Sequence, residues 1–346
     1  MENKVLLYGA TGYTAQLVIE EMLKKGIKPI LAGRSKSVEA IGKKYSLQTR
    51  IFDLENSENI QKNITDIMLV VNLAGPFQLT AQKLIQACLS TNTHYTDIAG
   101  EVKDFEKVYS FDKPAQEAEI MLMAGIGFGV VPTDVASYIA KQNLPDAHEL
   151  TIAFATQGGV SQGTLKTVLK DMNEVGVKRI DGKLTSCKPA ESNFSFALGG
   201  KKHACVSNPW RADVFSAYYT TQIPNIKAYS AFPAPLVFMM RNKWLFGKFT
   251  KSTLLQKLIA KAPQGPTEKE LKEGKTWVYV EAQNKKGKKV TVSIEGQEAY
   301  MFTAQTVTQI AKYILENHWQ AGFQTPAKMY GTKILENLNV QIKTTL

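Results

Sequence analysis

Short apolar runs alternate with helical patterns along the first third of the chain. Residues 4–8 (KVLLY) are hydrophobic up to Gly9, and Ala15, Val18, Ile19, Met22 and Leu23 then recur at helical spacing until Lys24, Lys25 and Gly26 break the pattern. That order predicts a strand, a tight turn and a helix. Further strand-like runs lie at 29–32, 49–52, 67–73 (IMLVVNL), 94–98 and 120–124, and Leu79, Ala81, Leu84, Ile85, Cys88 and Leu89 mark a helical face after Pro76. The run at 67–73 has the continuous hydrophobicity of a strand buried on both faces. Six strands alternating with helices predict an α/β fold with a doubly wound parallel sheet, in which ligands collect along the edge formed by the strand carboxyl ends.

The pattern changes near residue 135. Residues 150–156 read as a strand and 165–175 as a helix, and 276–282 pairs naturally with 289–296 across the turn Asn284-Lys-Lys-Gly287. These features predict a second domain built on an antiparallel sheet with few helices. Such a sheet can cover an open cofactor cleft and pair with a second copy of the chain, so a homodimer is expected. Residues 229–249 (YSAFPAPLVFMMRNKWLFGKF) mix Phe, Met and Trp with Arg241, Lys243 and Lys248. This composition suits the lining of an apolar substrate channel, contact with a membrane surface, or a helix pair in the core.

Composition narrows the classes. With 346 residues, 44% hydrophobic and 21% charged, the chain can form two packed domains, which excludes global disorder. Its net charge of +11 draws phosphorylated cofactors, anionic surfaces or nucleic acid. The lysines are dispersed rather than interleaved with aromatics on one face, so no nucleic-acid partner is expected. Cys88, Cys187 and Cys205 form no CxxC pair, and His148, His203 and His318 lack metal-ligand spacing, so neither a disulfide framework nor a metal site is expected. The amino terminus lacks the features of a secretory signal, and the longest apolar stretches fall short of the ~18 residues a membrane span needs. A cytoplasmic placement follows, with peripheral membrane contact as the remaining alternative.

The candidate chemistry lies on the loops after the strands. Gly9-Ala-Thr-Gly12-Tyr-Thr-Ala15 stands between the first strand and first helix, as a dinucleotide loop should: Gly9 allows the turn, Gly12 lets a pyrophosphate approach, and Ala15 lets the helix pack closely. Thr11, Tyr13 and Thr14 belong to the same binding segment. Where an NAD-selective site would carry an acidic residue after the second strand, this chain has Arg34 followed by Ser35, which favours NADP(H) over NAD(H) because a guanidinium can pair with a 2′-phosphate. Asp53 can accept a hydrogen bond from an adenine amino group or simply form a turn. Asn72, Ala74, Gly75 and Pro76 follow the fourth strand, where small residues let ribose and nicotinamide lie against the backbone.

YGATGYTA (8–15), LAGRS (31–35), VVNLAGPF (70–77) and HYTDIAGE (94–101), in this order, resemble the saccharopine dehydrogenase-like oxidoreductases. GPTEKELKEGKTWVYVEA (265–282) and GFQTPAKMYG (322–331) are similar to the branch called trans-acting enoyl reductases. The resemblance covers both ends of the chain and little of 140–260. It implies a Rossmann domain (1–134), a mixed α+β domain for substrate and dimerisation (135–302), and C-terminal helices packing back on the first domain (303–346). It also implies NAD(P)-dependent reduction of a C=C or C=N bond on a small-molecule or lipid-like substrate. A non-catalytic NADP(H) sensor or scaffold is the rival reading.

Hydride transfer needs orientation, exclusion of water and one proton donor. His94, Tyr95, Asp97, Glu101 and Asp134 are candidates, and Tyr95 oriented by Asp97 is the expected catalytic pair. The opposing reading makes His94 and Tyr95 core residues and Asp97 a helix cap.

Overall fold

The computed structural model describes residues 3–163, 165, 167, 174–242 and 263–346. Its strands are β1 (Val5–Tyr8), β2 (Ile30–Gly33), β3 (Thr49–Ile51), β4 (Leu69–Asn72), β5 (His94–Asp97), β6 (Met121–Met123), β7 (Ala147–Gln157), β8 (Gly176–Ile180), β9 (Lys183–Cys187), β10 (Asn193–Leu198), β11 (Lys201–Ser207), β12 (Asn225–Ser230), β13 (Lys275–Asn284), β14 (Lys289–Gln297), β15 (Gly322–Phe323) and β16 (Val340–Thr345). They fall into two compact units: residues up to Val131 with Tyr300–Glu336, and Pro132–Ala299 with Asn337–Leu346.

The first unit is a seven-stranded sheet in the order β15-β6-β5-β4-β1-β2-β3, and every pairing is parallel. The expected Rossmann arrangement is therefore present. β1, β2, β4, β5 and β6 are buried along their whole length, as strands covered by helices on both faces must be, whereas the edge strand β3 is partly exposed. The helix Tyr13–Lys24 buries Ala15, Val18, Ile19 and Met22, the stripe its spacing sets out. β1 sits between β2 and β4, so the winding reverses there and opens a crevice at the carboxyl ends of β1 and β4. The seventh strand, β15, comes from residues 322–323, within the stretch read from sequence as C-terminal helices.

The second unit holds a nine-stranded sheet with the path β10-β11-β12-β7-β13-β14-β16, and β8 and β9 attached beside β12. The expected hairpin forms from β13 and β14, and Gly287 takes φ +84° in its turn. Val278, Val280, Ala282, Val290, Val292 and Ile294 bury one face. On the other face Lys275–Glu295 (2.7 Å) and Lys289–Glu281 (2.8 Å) pair across the strands. The expectation of an antiparallel sheet needs correction, because β12 runs parallel to β7 through the connecting helix Asp213–Thr221. Residues 337–346, grouped from sequence with the C-terminal helices, join this second sheet as β16.

Within the apolar segment 229–249, Tyr229 and Ser230 end β12, and Ala234–Arg241 is a helix with Met240 buried beside Ala190, Val206 and Trp210. Phe238 on the same helix is 58% exposed. Residues 243–249 and most of the helix expected at 165–175 lie outside the described residues. No described helix is long and apolar enough to cross a membrane.

Candidate functional site

The loop after β1 is folded on itself and against its neighbours. The backbone N–H of Gly9 donates to the Ala32 carbonyl at 2.8 Å, that of Ala10 donates to the same oxygen at 3.1 Å, and that of Gly12 donates to the Gly9 carbonyl at 3.0 Å. Gly9 has φ +91°, and a Cβ there would stand 2.8 Å from the Ala74 nitrogen. Only glycine therefore brings the loops after β1 and β4 into contact at the point where the winding reverses. Gly12 is the N-cap of the helix Tyr13–Lys24, makes no side-chain cap bond, and is followed by no acidic residue in the first turn. A Cβ on Gly12 would stand 3.3 Å from the Gly9 carbonyl oxygen. Positive helix-end potential above a floor of glycines fits a pyrophosphate. Thr11 is exposed, and Tyr13 and Thr14 are half-buried at the same helix start.

Asn72, fully buried, braces the facing loop. Its Oδ1 accepts from the Ala74 N–H at 3.0 Å, while its Nδ2 donates to Thr80 Oγ1 and to the Tyr95 hydroxyl, both at 3.0 Å. Thr80 Oγ1 in turn donates to the Ala74 carbonyl at 2.9 Å. Both polar groups of the Ala74 peptide are thus held, which leaves Gly75 and Pro76 exposed in a fixed turn. Pro76 is the N-cap of the helix Phe77–Thr91 and likewise offers no side-chain cap. The loop that carries Gly9, Thr11, Gly12, Tyr13 and Thr14 thus meets the loop that carries Asn72, Ala74, Gly75 and Pro76 where Gly9 approaches Ala74.

Arg34, Ser35 and Asp53 lie one strand further along, after β2 and β3. Arg34 is exposed, and Ser35 Oγ pairs with Ser37 Oγ and accepts from the Ser37 N–H. Asp53 Oδ1 accepts from the Glu55 N–H at 3.0 Å, the geometry of a turn-forming aspartate. Tyr8, at the end of β1, donates to the Phe52 carbonyl at 3.3 Å. Burial pushes the Tyr8 phenol up to about 12, the Asp53 charge adds to the rise, and the Arg34 charge opposes it. All three groups therefore lie within electrostatic reach of one another. Arg34 and Ser35 thus immediately precede the start of the helix Ser37–Tyr45, and a guanidinium is the group suited to a phosphate.

The expected catalytic pair lies buried inside the sheet. Tyr95 and Asp97 are each 0% exposed. The Tyr95 hydroxyl donates to Asp97 Oδ2 at 3.0 Å, and Asp97 Oδ1 accepts from the Ala99 and Gly125 N–H groups at 3.0 and 3.1 Å. Burial pushes the Asp97 carboxyl up to about 6 against the pull of these donors, and burial also raises the Tyr95 phenol strongly. Neither side chain presents surface to a substrate, and together they tie the ends of β4, β5 and β6. His94 begins β5 at the amino edge of the sheet, where its Nδ1 accepts from the Met121 N–H at 3.0 Å and burial lowers its pKa to about 4.

Sequence reasoning missed three residues from the far end of the chain. Thr303 Oγ1 accepts from the Phe128 N–H at 3.0 Å, and Thr306 Oγ1 donates to the Ile126 carbonyl at 2.9 Å. One turn before Thr303, the ring of Tyr300 meets that of Tyr13 edge-on at 5.4 Å. Among the described residues no group of three or more His, Cys, Asp or Glu gathers as for a metal ion.

Comparison with known proteins agrees with this geometry. Residues 5–123 match the saccharopine dehydrogenase NADP binding domain. A saccharopine dehydrogenase-like oxidoreductase of Bos taurus is 22% identical, with 97% of this chain and 95% of that protein aligned. A Mycobacterium tuberculosis protein named as a trans-acting enoyl reductase is 28% identical across 49% of this chain and 44% of its own length. Among solved structures, apo saccharopine dehydrogenase (L-Glu forming) from Saccharomyces cerevisiae shares the fold, with a TM-score of 0.69 and 13% identity over 99% of this chain and 100% of that one. The resemblance to saccharopine dehydrogenase-like oxidoreductases is borne out. The chain is an NAD(P)-dependent oxidoreductase similar to the saccharopine dehydrogenase-like proteins, and NADP(H) is favoured over NAD(H) as its cofactor.

Proposed function

We propose that this oxidoreductase reduces a C=C or C=N bond on an apolar, lipid-like substrate. One observation supports the reductase reading: the Gly9–Ala74 approach at the reversal point, beside the uncapped helix start at Gly12, suits a dinucleotide site in the first unit. NADP(H), when bound, supplies or accepts the hydride. The chain's own residues hold it: Gly9, Thr11, Gly12, Tyr13 and Thr14 at the pyrophosphate, Arg34 and Ser35 at the 2′-phosphate, and Asn72, Ala74, Gly75 and Pro76 along the ribose and nicotinamide. Asp53 orders the turn beside the adenine. Tyr95 and Asp97 act as positioning residues that fix the Asn72 loop.

The carbon–carbon alternative takes its support from the similarity to a trans-acting enoyl reductase. The apolar substrate takes its support from the helix Ala234–Arg241, where Phe238 is exposed beside half-buried Leu236, Val237 and Met239. The same side chains suit peripheral contact with a membrane surface, and the exposed edge strand β16 suits pairing with a second copy. Sedimentation at rising concentration tests the dimer, and a mass that stays at 38.3 kDa overturns it.

The deciding experiment supplies NADPH deuterated at its transferable position with 2-enoyl thioesters of increasing chain length and with cyclic imines. Deuterium in a reduced product, rising with acyl length, supports the proposal. Transfer only to imines overturns the lipid reading, and no transfer to either class overturns the reductase proposal.

A further inference from the structure

The helix Ala299–Leu315 begins more than two hundred residues after the last predicted cofactor loop, yet its first turns reach the carboxyl edge of the first unit's sheet. The Ile126 N–H donates to the Asp97 carbonyl at 2.8 Å, so the loop after β6 folds across the end of β5. Thr306 Oγ1 donates to the carbonyl of this same Ile126, and Thr303 Oγ1 accepts from Phe128. Phe302 adds a ring contact to Phe128 at 5.6 Å. The start of the helix is therefore pinned above β5. Tyr300 lies one turn earlier and points the other way, to Tyr13, the first residue of the helix that follows β1. Since β4 stands between β5 and β1, the segment from Tyr300 to Thr303 spans the carboxyl end of β4, over the crevice where the winding reverses.

A dinucleotide crosses that crevice with its pyrophosphate at the first helix and its nicotinamide on the β4 side. We infer that Tyr300, held edge-on against Tyr13 at the pyrophosphate end, walls the nicotinamide half of the site and touches the bound cofactor. This rests on the NADP(H) reading above. Both rings are half-buried, held by the packing around them and still partly accessible. Tyr300 thereby becomes a contact residue, whereas Thr303 and Thr306 are positioning residues.

The test compares NADPH with adenosine 2′,5′-bisphosphate, which lacks the nicotinamide half, on wild type, Tyr300→Ala and Tyr300→Phe. Tyr300→Ala is expected to weaken NADPH about tenfold or more and to leave the bisphosphate unchanged, while Tyr300→Phe keeps both affinities within about twofold. Equal weakening of both ligands, or of neither, overturns the inference. Wild type that binds neither ligand instead removes the cofactor reading itself. Should Tyr300→Ala fail to fold, ¹³C-labelled tyrosine in the wild-type chain decides the matter, with Tyr300→Phe assigning the resonance. A Tyr300 ring shift with NADPH and none with the bisphosphate supports the contact, and no shift with NADPH overturns it.

Discussion

Gly9→Ala tests the closest contact in the site. Alanine at φ +91° carries a left-handed backbone cost of about 1–2 kcal/mol. Its Cβ would also stand 2.8 Å from the Ala74 nitrogen and 2.9 Å from the Ala74 Cα, and that peptide cannot retreat freely because Asn72 and Thr80 hold its N–H and its carbonyl. Relieving such an overlap in a packed region costs about 1–3 kcal/mol. The sum is a destabilisation of about 2–5 kcal/mol. Gly26 supplies the control, since it has φ +76° with nothing within 4 Å of a built Cβ. Gly26→Ala therefore carries only the backbone cost, about 1–2 kcal/mol. Urea unfolding followed by far-UV circular dichroism gives both losses, and fluorescence titration gives NADPH affinity. Gly9→Ala should fall well below Gly26→Ala in stability and should lose NADPH binding, which Gly26→Ala keeps. If the two variants lose the same stability and bind NADPH alike, the loops after β1 and β4 do not touch as described.

Three further outcomes are expected. Arg34→Ala should raise the Kd for NADPH by about 10- to 100-fold, the worth of a charged hydrogen bond, and leave NADH within about twofold; equal effects on both cofactors refute a 2′-phosphate contact. Tyr95→Phe should cost about 1–3 kcal/mol in urea unfolding, because Asp97 Oδ2 and Asn72 Nδ2 each lose a buried partner, and a neutral result refutes the network. His94 has a folded pKa near 4, below the unfolded value of about 6.5, so its contribution is present above about 6.5 and is lost as pH falls toward 4. Asp97, raised to about 6, has the opposite sign, its cost growing as pH rises from about 4 through 6. Comparing wild type with His94→Asn cancels the Asp97 part, and wild type should lose about 2 kcal/mol more than the variant between pH 7 and pH 5. Parallel pH profiles refute the assignment.

Much of the first unit was legible because its signals are local. A strand, a glycine turn and a helix follow one another within about twenty residues, and the apolar run at 67–73 already has the pattern of a central strand. The β13–β14 hairpin was legible for the same reason, through its alternation and its Asn-Gly-bounded turn. What sequence could not show was non-local. β12 lies parallel to β7 only because a helix carries the chain back, and β15 enters the first sheet from 201 positions beyond the Met121 it pairs with, less than a turn's worth of pattern in itself. The burial of Tyr95 and Asp97 was not legible because alternation along a strand cannot distinguish a polar side chain facing a ligand from one satisfied inside the sheet. Burial at 0% and the four bonds around them support the positioning role proposed for the pair.

The split composition of the first unit bears on how the protein is made. β6, Met121–Met123, gains its outer neighbour β15 only when Phe323 has been synthesised. At ~5–20 residues per second that interval is about 10–40 s, during which a fully apolar strand edge has no partner of its own sheet on the nascent chain. The loop at 125–130 also waits for Thr303 and Thr306 before its backbone is satisfied. A ribosome-bound chain stopped before residue 300 thus carries every glycine and the arginine of the cofactor loops while still lacking the segment that holds their far wall. On the proposed site, full-affinity capture of the cofactor then waits for that last segment, and until it arrives the unpaired edge of β6 is one that a chaperone could shield.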